Sequence, residues 1–262
     1  MPSEPPFCPA REAVILAAGR GGRLDAPGVP GKCLVTVAGR SLIEWIATAL
    51  VNVGVERAHV VLGHRADDVV AALADLHLPL ELRFAFCPGW EAGNGLSAAA
   101  AEASLDDARR FWLVMGDHLI FPPLLERVCS VAQAVERTCL LATSPIDRPG
   151  IDLADATKVR IGEASRVLEI GKQLAVFNAL DTGVFLMTRD LFRALSLARQ
   201  RQDSSLTGGN RILAHDGSLQ AVPVGDCAWQ DVDTPEDLVV AERLALGRLP
   251  QISPGPASPR CS

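Results

Sequence analysis

A glycine-rich loop carrying basic residues follows the first apolar segment of the sequence. The apolar run Ala13–Ala18 leads directly into Gly19-Arg20-Gly21-Gly22-Arg23, and Lys32 follows shortly after. Glycines let backbone N–H groups approach phosphate oxygens, and such groups form anion-binding nests. The nearby cations would neutralise charge that grows as a phosphoryl bond changes hands. We therefore predict that this loop binds a nucleoside triphosphate. A tight turn without a ligand is the alternative, but it leaves the two arginines unexplained.

Two familiar phosphate-binding loops are excluded by the residues at their required positions. The Walker pattern requires a glycine where this chain has Ala26 and a Ser or Thr where it has Cys33. The dinucleotide fingerprint requires a third glycine where this chain has Leu24. The sequence therefore supports neither a P-loop NTPase nor a Rossmann dehydrogenase.

Lysine is rare among the basic residues. The chain has 25 basic residues, and its lysines are confined to Lys32, Lys158 and Lys172. A lysine in an arginine-rich chain indicates a position where a compact ammonium is preferred, although compositional bias alone could make lysine scarce. We predict catalytic roles for Arg23, Lys32 and Lys172.

Two acidic segments are candidates for Mg²⁺ binding. Asp117 follows the apolar segment Phe111–Met115, and ligands of open α/β sheets gather where strands end. Asp231 and Asp233 are separated by one residue, so only one of them can face a given metal ion. We predict Asp117 and Asp233 as the metal ligands, with Asp231 as the open alternative to Asp233. Helix capping is the competing explanation for both segments.

Weaker signals indicate a second substrate. Lys172 follows Gly171 in a segment distant from the loop, and it could bind the phosphate of a co-substrate. Asp181 and Thr182 carry an acid and a hydroxyl that suit hydrogen bonds with a polyol. We predict Lys172, Asp181 and Thr182 as substrate-binding residues.

Composition limits the class of protein. The chain has 262 residues, is 48% hydrophobic and carries a net charge of −6, so it offers no electrostatic footprint for nucleic acid or anionic membranes. The seven cysteines lack metal-binding spacing and are typical of a reducing compartment. We expect a cytoplasmic protein without membrane insertion.

Strand and helix signals alternate along the chain, which predicts an α/β fold with a doubly wound, mostly parallel sheet. Residues 11–249 would form a single domain, with a small β insertion at about 147–183. Capping signals at Ser41–Glu44 and at Thr234–Asp237 predict two helix starts, and Asn94 is a further candidate cap. Residues 1–10 and 250–262 are proline-rich and are expected to be disordered.

Together these motifs resemble the nucleotidyltransferases that make nucleotide-activated sugars and alcohols. The loop Leu16–Gly22 with Lys32 matches the signature of that family, and Arg23 stands where its loop arginine is expected. Later segments resemble the members that act on CTP and inositol 1-phosphate: Val114–His118, Gly162–Val167, Ile170–Lys172, Asp181–Phe185 and Trp229–Asp237. The resemblance covers roughly residues 12–246.

The resemblance implies a Rossmann-like nucleotidyltransferase fold and transfer of CMP from CTP to a phosphorylated alcohol, with inositol 1-phosphate as the favoured acceptor. It also implies a Mg²⁺ cofactor and a separate membrane alcohol phosphotransferase that uses the CDP-alcohol product. Oligomerisation is left open. The nucleotide-binding residues implied are Leu16, Ala17, Ala18, Gly19, Arg20, Gly21, Gly22, Gly63, Asn94, Gly95 and Ser97.

Three alternatives stay open at this point. The acceptor could be phosphocholine, a phosphonate or a sugar phosphate, because the enzymes that use them share the loop. A nucleotidyltransferase for the molybdenum cofactor is a second enzyme hypothesis. A non-catalytic nucleotide sensor is the alternative from another class, although a sensor would not need both metal-binding carboxylates.

Overall fold

The structure is a computed structural model, and it describes residues 10–21, 23–24, 28–106, 109–148 and 150–247. The strands in chain order are β1 (Glu12–Leu16), β2 (Thr36–Val37), β3 (Arg40–Ser41), β4 (Arg57–Leu62), β5 (Glu81–Phe86), β6 (Arg110–Met115), β7 (His118–Ile120), β8 (Cys139–Ser144), β9 (Lys158–Ile161), β10 (Val167–Gly171), β11 (Ala179–Thr188), β12 (Leu219–Pro223) and β13 (Trp229–Asp231). The α-helices are α1 (Leu42–Asn52), α2 (Ala66–Ala74), α3 (Asn94–Ala100), α4 (Pro122–Ala132), α5 (Asp190–Gln200), α6 (Leu206–His215) and α7 (Pro235–Ala245).

The central sheet is built around four parallel strands in the order β5-β4-β1-β6. Strand β11 pairs antiparallel with β6 and with β8, and β12 adds to β8 in parallel. The predicted mostly parallel sheet is confirmed. The carboxyl ends of β1, β4 and β6 meet at one edge, which is where ligands bind in sheets of this kind.

Apolar side chains of β1 alternate between the two faces of the sheet. Ala13 and Ile15 pack in a core shared with α1, α2 and α4, whereas Val14 and Leu16 pack in a core shared with α3, α5 and α6. Because helices cover both faces, β1 is buried along its whole length. The predicted doubly wound arrangement is therefore confirmed.

The predicted β insertion contains a hairpin of β9 and β10 that pairs with the start of β11. Strand β11 is one ten-residue strand that begins within the insertion. Its pairing with β8 shifts between Asp181 and Phe185, and Gly183 there has φ +70°. Irregularities of this kind re-aim side chains beside functional sites.

A short antiparallel ribbon of β7 and β13 lies outside the main sheet, with Asp231 opposite His118. The helix α7 follows it, and the Thr234 N–H donates to the Asp237 carboxylate at 2.8 Å. At the start of α1, the Ser41 N–H donates to Glu44 at 2.7 Å. Both predicted helix starts are confirmed. The predicted disordered ends lie outside the described residues, apart from Ala10, which is buried.

Helices α3 and α6 meet at a close backbone contact. A Cβ on Gly95 would lie 2.6 Å from the carbonyl oxygen of Ser204 and equally close to the backbone of Ser205. Asn94 does not cap α3, as had been predicted, because it is already the first helical residue and Gly93 is the cap. Its Oδ1 instead accepts a hydrogen bond from the Leu206 N–H at 2.8 Å, which ties α3 to the start of α6.

This contact predicts that Gly95→Ala destabilises the protein. The added methyl group has to displace backbone atoms, and overpacking of that kind costs about 1–3 kcal/mol. Urea unfolding would measure the loss. Gly19→Ala is the matched control, because nothing lies within 4 Å of a Cβ built there. Equal free energies of unfolding for the two variants would contradict the proposed contact.

Candidate active site

The glycine-rich loop lies where three parallel strands end. The Ala17 N–H donates to the Val61 carbonyl at 2.9 Å, the His64 N–H to Ala18 at 2.9 Å and the Gly116 N–H to Leu16 at 2.9 Å. These bonds fix the start of the loop against the ends of β4 and β6. A cleft of about 350 Å³, the smaller of two adjoining clefts, opens beside the loop. It is lined by Leu16, Ala17, Gly19, Gly21, Arg23, Lys32, Cys33, Gly116, Asp117 and Asp233.

Most of the predicted loop residues border this cleft. Ala18 is buried and Arg20 is exposed. Gly22 lies outside the described residues. A Cβ on Gly19 would meet nothing within 4 Å, so the backbone at Gly19 faces open space that a ligand could occupy. The described part of the loop thus has the form of a cradle.

Lys32 packs beneath the loop. A Cβ on Gly21 would lie 2.2 Å from Lys32 Cγ, and Gly21 also has φ +66°, so glycine is required there for two reasons. The Lys32 side chain is only 12% exposed. Its Nζ donates to Asp117 Oδ2 at 3.1 Å and also contacts Asp233 Oδ1. The loop therefore holds one ammonium between two carboxylates.

The β7–β13 ribbon brings the acidic segments together. Its register places Asp231 opposite His118, and the Val232 N–H donates to the Asp117 carbonyl at 3.0 Å. Asp233 faces Lys32 and Arg23, whereas Asp231 faces His118, with 3.7 Å between His118 Nδ1 and Asp231 Oδ1. This agrees with the expectation that the two acids point to opposite sides.

His118 belongs to the acidic cluster, although it was not predicted as a site residue. Its Nδ1 lies 2.8 Å from Asp117 Oδ1, and its ring stacks on Trp229 at 5.9 Å. Burial lowers the pKa of His118, but the charge of Asp231 and the bond to Asp117 outweigh that effect and raise it overall. Burial would raise the pKa of Asp117, yet the bonds and charges of His118 and Lys32 hold it well below its usual range.

These groups form a candidate cation site. Ligand atoms of Asp117, His118 and Asp231 lie within 4.8 Å of one another. Asp231 Oδ1 is buried and has no hydrogen-bond partner among the described residues. Asp117 and Asp233 already converge on one cation, the ammonium of Lys32. Carboxylate oxygens are the ligands that Mg²⁺ prefers, so Asp117 together with Asp233 or Asp231 fits that ion.

A larger cleft of about 530 Å³ adjoins the first. Arg23, Asp117 and Asp233 line both clefts, so these residues mark the boundary between the two. The wall of the larger cleft includes Asn94, Lys172, Asp181, Leu206, Thr207 and Asn210. The predicted substrate residues Lys172 and Asp181 are thus brought to the same cavity.

Asp155 links the cations of the two clefts. Arg23 donates to Asp155 Oδ2 at 2.7 Å, and Lys172 Nζ contacts Asp155 Oδ1. Hydrogen bonds from Lys172 and Arg23 lower the pKa of Asp155 to about 2. The sequence analysis missed Asp155, because an acid within a loop carries no signal of its own before the loop is placed.

Arg148 holds β13 in place and was also missed. Its guanidinium donates to the carbonyls of Cys227, at 3.0 Å, and Trp229, and it lies 4.9 Å from the centre of the Trp229 ring. Burial lowers the pKa of Arg148 to about 10. The arginine therefore fixes the strand that presents Asp231.

Asp181 and Thr182 differ in what they can contact. Asp181 lines the larger cleft and accepts from the Gly183 N–H at 2.7 Å. Thr182 is fully buried, and its hydroxyl donates to the Ala142 carbonyl at 2.9 Å. The predicted substrate contact of Thr182 is therefore wrong, because its side chain faces the interior of the sheet.

The remaining predicted nucleotide residues have packing roles in this structure. A Cβ on Gly63 would lie 2.5 Å from the Trp90 ring, Gly95 packs on Ser204, and Ser97 is buried. Asn94 borders the larger cleft. Contacts of Gly63, Gly95 and Ser97 with a nucleotide stay predictions.

A family model described as a MobA-like NTP transferase domain matches residues 13–219. A bifunctional IPC transferase and DIPP synthase of Rubrobacter xylanophilus is 35% identical over 256 residues, covering 94% of this chain and 54% of the relative. A protein of the same description from Archaeoglobus fulgidus is 35% identical, covering 90% of this chain and 44% of the relative. The chain thus spans about half the length of these relatives.

Solved structures give the same picture. The inositol-1-phosphate CTP transferase of T. maritima matches with a TM-score of 0.80 and 28% identity, over 91% of this chain and 97% of that chain. A UDP-glucose pyrophosphorylase matches with a TM-score of 0.74 at 15% identity, which shows the fold alone.

Within the described ranges, none of the helices is long and apolar enough to cross a membrane.

The pKa of Asp181 generates a prediction about pH and stability. Burial raises it to about 6, above the value of about 3.9 for an unfolded chain. The cost in folding free energy therefore builds up between about pH 4, where the carboxyl ionises in the unfolded chain, and about pH 6, and it is absent only below about pH 4, where the carboxyl is protonated in both states. Asp181→Asn, which cannot ionise, should melt higher than the wild type at pH 7.5, with the gain shrinking towards pH 4.

Thermal melts at several pH values would measure this difference. Asp216→Asn is the control: the hydrogen bond from His215 lowers the pKa of Asp216, so that variant should gain no stability at pH 7.5. A gain for Asp181→Asn that stays constant from pH 4 to pH 7.5 would contradict the prediction.

Proposed function

Because this chain belongs to the family of MobA-like NTP transferase domains, we propose that it transfers CMP from CTP to inositol 1-phosphate. The observation that carries the proposal is the pair of adjoining clefts sharing Arg23, Asp117 and Asp233. Two phosphorylated substrates bound there would have their phosphates at the boundary. The likeness to the inositol-1-phosphate CTP transferase over nearly the whole of that chain supports the choice of substrates.

The reaction joins two phosphates. A phosphate oxygen of the acceptor attacks the α-phosphorus of CTP, a new P–O–P bond forms, and the bond to the β-phosphate oxygen breaks. The products are a CDP-alcohol and pyrophosphate. No covalent intermediate with the protein is needed, so positioning and charge neutralisation supply the catalysis.

The basic residues of the two clefts would bind the phosphates of different substrates. The loop N–H groups and Arg23 would bind the CTP phosphates in the smaller cleft, and Lys32 would lie at the boundary where charge develops. Lys172 would bind the acceptor phosphate in the larger cleft. Arg23 and Lys172 would exchange their shared partner, Asp155, for substrate phosphate oxygens.

Asp117 and Asp233 would hold Mg²⁺, with Asp231 as the alternative to Asp233. The ion, when bound, would neutralise phosphate charge at the boundary of the clefts. His118 would orient Asp117 through the bond at 2.8 Å.

The described cysteines support a reducing, cytoplasmic location. Five of them are free thiols: Cys33, Cys87, Cys129, Cys139 and Cys227.

The relatives that are about twice as long as this chain are described as bifunctional. We therefore propose that a second enzyme activity, on the same polypeptide or another one, consumes the CDP-alcohol.

Pyrophosphate release tests the proposed function. Four nucleoside triphosphates would be combined with inositol 1-phosphate, phosphocholine, a phosphonate, a sugar phosphate and the pterin of the molybdenum cofactor. CTP with inositol 1-phosphate should give the highest kcat/KM, and EDTA should abolish release. Preference for another acceptor would change the substrate, transfer to a pterin would favour the molybdenum-cofactor alternative, and no release with any pair would favour a nucleotide sensor.

Lys32→Met tests the role of the boundary ammonium. Methionine keeps the aliphatic stem beneath Gly21 but removes the charge. We expect kcat to fall about 100-fold or more while KM for CTP changes less, because the ammonium acts mainly on charge that develops in the transition state. Steady-state kinetics would show this split. Arg137→Ala, at an exposed turn residue before β8, is the control. An unchanged kcat in Lys32→Met would refute the assignment.

A further inference from the structure

One buried polar group of the larger cleft has no partner. Asn210 lies on α6 and is 1% exposed, yet its Oδ1 accepts no hydrogen bond from any described residue. Buried amide oxygens almost always have a donor, since leaving one unpaired costs the full free energy of desolvation. The residue lines the cleft that the proposed acceptor would occupy.

The start of α6 borders the same cleft. Leu206 and Thr207, in the first turn, also line it, and Asn210 follows one helical turn later on the side of Leu206. Leu206 and Phe185, which are both buried, form apolar parts of the cleft wall. An amide oxygen on a wall with such apolar parts suits a molecule with a carbon ring and outward hydroxyl groups.

The helix is held rigidly, so this amide is well positioned. Gly209 packs against α5, where a Cβ would lie 2.7 Å from Leu195 Cδ2. Two glycines inside a helix lower its stability, and close packing accounts for their presence here. The Asp203 carboxylate accepts from the N–H and hydroxyl of Ser205, which fixes the residue that caps the helix.

A direct bond connects α6 to the segment that carries the proposed phosphate anchor. Arg211 Nε donates to the Ile170 carbonyl at 3.0 Å, and Lys172 follows two residues later. The segments that carry Asn210 and Lys172 are thus tied together, and both residues line the cleft. A phosphate bound at Lys172 would determine which part of the same molecule reaches Asn210.

We infer that Asn210 determines acceptor specificity by accepting a hydrogen bond from a ring hydroxyl of the phosphorylated polyol. A hydroxyl fits the amide well, because it can donate to Oδ1 and accept from Nδ2. Phosphocholine has no hydroxyl to offer, so the residue selects a polyol over an aminoalcohol. This inference rests on the proposed transfer to inositol 1-phosphate.

Deoxy analogues provide the test. A site built to bond a hydroxyl strongly rejects the analogue that lacks it. For the wild type, we expect one monodeoxy-inositol 1-phosphate to have a kcat/KM at least 100-fold below that of inositol 1-phosphate. In Asn210→Leu, which removes the acceptor at similar volume, the same ratio should fall below about fivefold, with KM for CTP unchanged.

Two further variants separate recognition from folding. Asn210→Ser is shorter and polar, and should lose the discrimination even if the leucine variant folds poorly. Asn52→Leu, at the end of α1, should keep the full ratio. Melting curves would accompany each measurement, since a purely structural role lowers stability without changing the ratio between the two acceptors.

The outcomes distinguish the two proposals. A wild type that transfers no CMP to inositol 1-phosphate overturns the proposed function, and with it the role of Asn210 toward this acceptor. A wild type that transfers CMP but tolerates every deoxy analogue overturns the inference alone. So does a ratio that survives in both Asn210→Leu and Asn210→Ser.

Discussion

The site depends on one ammonium held between two carboxylates. Asp117 and Asp233 belong to segments far apart in the chain, and without Lys32 their negative charges would repel in a largely enclosed space. Three neighbouring features stabilise this arrangement. The loop gives room for the lysine stem through Gly21, the β7–β13 ribbon sets the spacing of the acids, and Arg148 fixes the strand that leads to them.

The fold and the loop were largely predictable because their signals are local. Apolar strands, capping residues and a glycine-rich turn each act within a few positions of the sequence. The grouping of Asp117 with Asp233 could be expected from the rule that ligands gather at strand ends. The register that places Asp231 beside His118 could not, because it depends on pairing between segments more than 100 residues apart.

Other parts of the site depend on packing that the sequence does not reveal. Thr182 and Asp181 are neighbours in β11, so their side chains point to opposite faces. The Thr182 hydroxyl bonds the Ala142 carbonyl in the interior, whereas Asp181 lines the cleft. Asp155, Arg148 and Asn210 look like ordinary surface or helix residues until the elements around them are placed. Asn94 was predicted to cap α3, but its side chain accepts a hydrogen bond from the backbone at the start of α6.

The bridge from Asp155 to Arg23 and Lys172 places one carboxylate between two cations. Anion binding is therefore an exchange, in which an incoming group replaces a carboxylate that is already present. A monoanion such as chloride or acetate only matches the charge it displaces. A phosphate ester carries nearly two charges and three acceptor oxygens at neutral pH, so it gains more from the exchange. The bridge through Asp155 therefore favours a phosphate ester over a singly charged anion.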